Sequence, residues 1–137
     1  MTKFEKEYFK KMTFTPQGIK LYLQNARRDL EIAQKDPFPE VQFTYAYQAL
    51  IKIGIALIAH KGQVKVRGVP GHHLKIIEQL SKLLNEQDIY TIGNAMRMKR
   101  NQDLYQGGEF ISKKEAKEYT AFVAGVIKRI EVMLKSN

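Results

Sequence analysis

Cysteine is absent from this chain of 137 residues. Its absence excludes disulfides, thiolate catalysis, Cys-ligated zinc and iron–sulfur clusters, and fits a reducing compartment. Acidic residues are scarce, 14 Asp and Glu against 23 Lys and Arg, for a formal net charge of +9. A surplus of that sign favours encounter with a polyanion such as RNA, a nucleotide or an acidic protein, but it determines neither fold nor chemistry. Long hydrophobic runs are missing too. The most apolar stretch, Ala49 to Ala59, is interrupted by Lys52 and has about half of the roughly 20 residues a membrane span needs, so a buried helix is expected. The first residues, Met1 to Glu7, mix charges and lack the apolar stretch of a secretory signal, so the expectation is a cytoplasmic protein with no membrane partner. No GxGxxG, Walker A or HExxH pattern occurs, and neither a cofactor nor a metal is expected.

The remaining composition, 44% hydrophobic and 27% charged, is globular and sufficient for one domain with a real core. Thr15-Pro16 supplies an N-cap hydroxyl and a proline at the first helical position, and Ile19, Tyr22, Leu23, Ala26, Leu30 and Ala33 follow at helical spacing as far as Asp36-Pro37. A second helix is expected from Val41 to His60. Its apolar residues fall on most faces, which makes it the central one. Lys61 to Gly71 is rich in Gly, Pro and β-branched residues and is expected to be a loop, long enough to be functional. A third helix spans roughly His72 to Leu84, and a fourth begins near Glu86 and stops at Gly107-Gly108. Ser112-Lys113-Lys114-Glu115 is a capping box that opens the fifth. The expected architecture is all-α, an antiparallel up-and-down bundle of four to five helices over residues 15–137. The aromatic and basic segment 1–14 is expected to form a short amphipathic helix. Ala49, Ile53, Leu57, Leu80, Phe122, Val126 and Ile130 are the expected interior.

Chemistry-bearing residues concentrate in two places. Pro70-Gly71-His72-His73 opens the third helix; its imidazoles either complete the helix start or act near a phosphate as acid–base groups. Neighbours on a helix point about 100° apart, so the two histidines do not form a metal site by simple geometry. The denser cluster is Arg97, Arg100, Asn101, Asp103 and Tyr105. Two arginines three apart share a helix face and can grip a phosphate by forked hydrogen bonds, while Asn101 adds a donor and an acceptor. The alternative is a solvated basic face, with Asp103 pairing Lys99 or Arg100.

Thr44 to Ala59, Pro70-Gly71-His72-His73 and Arg100-Asn101-Gln102-Asp103-Leu104-Tyr105 together resemble the HEPN (higher eukaryotes and prokaryotes nucleotide-binding) superfamily, over about Thr15 to Leu134, and most closely its small stand-alone bacterial members. The resemblance implies a helical bundle that often forms a homodimer around a shared cleft. Its catalytic members are metal-independent endoribonucleases with an Arg, often followed by a polar residue, and a His four to six residues beyond the Arg. Arg100 and Asn101 match; Tyr105 stands where the His is expected. A phenol is a poor general base near neutrality, although it can donate a hydrogen bond or a proton. Members without the His bind nucleotides or RNA, or pair with a small nucleotidyltransferase, in some cases as a toxin–antitoxin pair. Three expectations result: an RNA- or nucleotide-binding or regulatory module that holds phosphate with Arg97, Arg100, Asn101 and Asp103; a metal-independent ribonuclease that uses Arg100 with Tyr105 or with the accessory His72 or His73; and a non-catalytic protein-interaction scaffold.

Overall fold

A computed structural model describes residues 3–106 and 111–135, with the side chains of 103–106 outside that description. The protein is an all-α bundle, in the order β1 (Phe9–Lys11), α1 (Pro16–Lys35), α2 (Pro39–Gly62), β2 (Val64–Val66), α3 (His72–Leu84), α4 (Gln87–Gln106) and α5 (Lys113–Lys135). The expected stop at Gly107-Gly108 lies outside the described residues.

The local signals act as their chemistry requires. The Thr15 hydroxyl accepts a hydrogen bond from the Gly18 amide at 3.0 Å, one of the donors a helix start leaves orphaned. Ser112 and Glu115 close a reciprocal capping box: the Glu115 amide donates to the Ser112 hydroxyl at 3.0 Å, and the Ser112 amide donates to the Glu115 carboxylate at 3.2 Å. Replacing Ser112 with alanine is expected to cost about 1 kcal/mol in urea unfolding.

α2 is the centre of the bundle and packs against α1, α3, α4 and α5. Among the described residues it alone is long and apolar enough to cross a membrane, yet 61% of its most apolar window is buried inside the bundle. Two glycines set how closely its neighbours approach. A Cβ on Gly54 would lie 2.6 Å from Ile76 Cγ2, and one on Gly93 would lie 2.8 Å from Ile77 Cγ2. Glycine costs a helix about 1 kcal/mol relative to alanine, and here that cost is offset by the close packing of α3 between α2 and α4.

Of the expected interior, Ala49, Ile53, Leu57, Leu80, Val126 and Ile130 are buried. Phe122 is corrected: it is half-buried, and Val123 is fully enclosed in its place. The apolar stripe of α5 is broad, and its centre runs through Val123, Ile127 and Ile130 rather than along the Phe122 edge.

The N-terminal segment is also corrected, from an amphipathic helix to a strand. β1 pairs antiparallel with β2 in the register Phe9–Val66, Lys10–Lys65 and Lys11–Val64. So short a segment gains little as a helix, whereas the Val64–Val66 stretch supplies hydrogen-bonding partners. The ribbon continues at both ends, where the Met12 amide donates to the Gln63 carbonyl at 3.0 Å and the Arg67 amide to the Tyr8 carbonyl at 2.7 Å. The segment expected as a loop from Lys61 therefore contains the end of α2, a left-handed cap at Gln63 (φ 49°) and a strand.

Candidate phosphate-binding cleft

The start of α3 and the C-terminal half of α4 meet at a cleft of about 450 Å³. His72 and His73 contribute from α3, and Arg97, Arg100 and Asn101 from α4. The histidines and the arginines are thus brought together although no sequence spacing links them. The side chains of Asp103 and Tyr105, the other two expected site residues, lie outside the described residues.

The helix start is built without a side-chain cap. Gly71 is the N-cap in a left-handed conformation (φ 84°), which favours glycine, and the first turn of α3 holds no acidic residue. The positive end of the helix dipole faces the cleft region without a counter-charge of its own. His72 Nδ1 donates to the Val69 carbonyl at 2.8 Å, tying the loop to the helix; in the neutral ring the lone pair then sits on Nε2.

His73 is held differently. Its Nδ1 shares a hydrogen bond of 3.0 Å with the Tyr47 hydroxyl, and its ring lies edge-on to that of His72 with centroids 4.5 Å apart. Burial chiefly, then the neighbouring His72, Arg100 and Arg97, push its pKa down to about 4 from 6.5. Burial pushes the Tyr47 phenol up to about 12, against the opposing pull of Arg100 and Arg97. Both groups are therefore neutral at pH 7, beside two permanently charged arginines. The Arg100 guanidinium carbon stands 5.5 Å from the centroid of the Tyr47 ring, within cation–π range. Arg97 Nε donates to Asn94 Oδ1 at 3.0 Å, which orients its guanidinium. Among the described residues neither arginine has an ion-pair partner, and none of those that line the cleft is acidic. Lys99, on the same helix, pairs with Glu115 at 3.1 Å.

The lowered His73 pKa has a consequence for stability. The unfolded chain takes up this proton first as pH falls, so the contribution is complete above about 6.5, is lost progressively on going down toward about 4, and is constant below. Because the ring is half-buried and partly screened, the expected loss is about 1 kcal/mol. Urea unfolding at pH 7 and pH 4.5 should show that extra loss in the wild type and not in His73→Gln.

Tyr47 is the site residue that sequence reasoning missed. It lies in the apolar run of α2, and its one polar atom gives no periodic signal. Comparison with protein-family models, with curated proteins and with solved structures finds no match to this chain.

Proposed function

We propose that this protein is a HEPN-like module that binds RNA or a nucleotide by its phosphate, with Arg97, Arg100 and Asn101 as the grip and the α3 start beside them. The observation that carries this reading is the meeting, in one cleft, of two guanidinium groups and a helix start with no side-chain cap, with neither an ion-pair partner for the arginines nor a lining carboxylate among the described residues. Partly desolvated cations of that kind are costly alone and are relieved by an anion; a guanidinium fork matches phosphate geometry and helix-start amides add donors. The net charge of +9 steers a polyanion toward such a surface.

A second reading, a metal-independent ribonuclease, is favoured by one specific feature. Two imidazoles line the same cleft as the arginines, so acid–base groups stand near the phosphate grip even though Tyr105 occupies the expected His position. Neutral His73 is available to accept a proton, and an arriving phosphate would raise its basicity by its negative charge.

One experiment tests both. Purified protein and its Arg100→Ala variant are incubated with mixed cellular RNA and a chelator, and retention and cleavage are read from the same samples. Retention without cleavage, weakened in the variant, is the expected result. Chelator-resistant cleavage that the variant loses would instead establish the ribonuclease. Unchanged retention in the variant would overturn the phosphate grip.

A further inference from the structure

We propose that the ligand is a single-stranded RNA several nucleotides long and that the β1–β2 ribbon forms a second contact site for it. This inference rests on the reading of the α3–α4 cleft as a phosphate grip. Beside the ribbon lies a hollow of about 610 Å³ with Phe4 and Phe9 among its apolar lining. Their rings meet edge to face with centroids 5.3 Å apart. Phe9 is buried and Phe4 half-buried. Phe4 rests so closely on the end of α2 that a Cβ on Gly62 would come within 2.5 Å of its ring.

Four cations surround this floor: Lys6, Lys10, Lys11 and Arg67. Among the described residues none of them has an ion-pair partner, and none of those that line the hollow is acidic. Arg67 spends one terminal nitrogen on the Lys6 carbonyl at 3.0 Å, which fixes it at the rim. Gathered like charges without a counter-charge oppose one another, and a polyanion relieves that repulsion. An aromatic ring among cations is the arrangement that binds single strands: bases stack on the ring while the backbone follows the charges.

The hollow and the cleft flank one short connection. Arg67 lines the first, and the very next residue, Gly68, lines the second. From Arg67 to His72 is five residue steps, at most about 18 Å of chain. A mononucleotide fills one site, whereas a short strand with a phosphate on Arg97 and Arg100 reaches both. An acidic peptide would satisfy the lysines but has no base to lay on Phe4.

Fluorescence anisotropy with a labelled single-stranded RNA decamer and with a labelled nucleoside monophosphate tests this. In the Lys10→Ala/Lys11→Ala double variant the decamer is expected to bind about tenfold more weakly, and the slope of log affinity against log salt to fall by about 1.4, two phosphate contacts at roughly 0.7 each. Monophosphate binding should not change. Phe4→Leu should weaken the decamer severalfold and leave the salt slope alone. Both lysines are exposed, so the double variant keeps the fold, which a thermal melt checks. Decamer affinity and slope unchanged in the double variant but reduced by Arg100→Ala would overturn the ribbon site and leave the cleft standing. Loss in the double variant with no effect of Arg100→Ala would overturn the cleft reading instead. No decamer binding by the wild type would overturn both, and displacement of the decamer by polyglutamate as readily as by unlabelled RNA, with Phe4→Leu silent, would overturn the assignment to RNA.

Discussion

Replacing Lys52 with methionine is expected to lower the stability of the fold by about 3 kcal/mol or more at neutral pH. Lys52 is the one charge inside the apolar run of α2, and it reaches the Asp29 carboxylate of α1, with Nζ 2.7 Å from Oδ2. Asp29 is fully buried, and its second oxygen lies 3.3 Å from Arg28, whose side chain is 66% exposed. The Lys52 contact is close but not aligned as a hydrogen bond, so Oδ2 has no hydrogen-bond partner and depends on the lysine charge. Removing that charge leaves a buried carboxylate with a single solvated neighbour, which is the costly way to break such a pair. Removing both partners is different. Lys52→Met with Asp29→Leu should recover most of the loss, because the desolvation cost disappears together with the attraction. Urea unfolding of the two variants beside the wild type checks this; equal losses in the single and double variants would assign the effect to packing. The exposed Glu31–Lys35 pair, also at 2.7 Å, should contribute far less by contrast, because water screens both charges.

What the sequence discloses here follows the range of the interaction involved. Helix starts depend on residues three apart, so the Thr15 cap and the Ser112–Glu115 box are legible, and with them the start of α1 and of α5. The central position of α2 is legible because its apolar residues leave no polar face. Strand pairing between Phe9–Lys11 and Val64–Val66 joins segments more than fifty residues apart, and three residues are too few for alternation to stand out from noise. Phe122 lies a fraction of a helical turn off the centre of the α5 stripe, and a broad apolar stripe does not announce its centre. The candidate site divides in the same way. Arg97, Arg100 and Asn101 share a helix and are visible as a cluster, whereas their meeting with His72 and His73 depends on how α3 lies against α4, where Gly93 lets Ile77 approach. Tyr47 and Asp29 carry the least signal: each is a single polar group within an otherwise regular helix, and only its partner on another element gives it a role.

Removal of the Arg100 side chain is the change expected to affect ligand binding most. A charge-assisted hydrogen bond to phosphate is worth about 1.5–3 kcal/mol, so Arg100→Ala should weaken RNA retention by a factor of roughly 10 to 150. The fold should barely notice, because the guanidinium has no ion-pair partner among the described residues and its approach to Tyr47 contributes only about 0.5–1 kcal/mol. Arg100→Lys separates charge from shape: it retains the charge and loses the planar fork, so an intermediate affinity is expected, with the salt dependence of the wild type. The arginine also depresses the pKa of His73, and its loss should make that imidazole more basic, which an NMR titration of the ring would detect. A binding defect in Arg100→Ala accompanied by an upward shift of the His73 titration would place both effects in one cleft. A binding defect with the His73 titration unmoved would mean that the arginine meets its ligand away from the imidazoles, and the acid–base reading of the site would then fall while the phosphate grip survived.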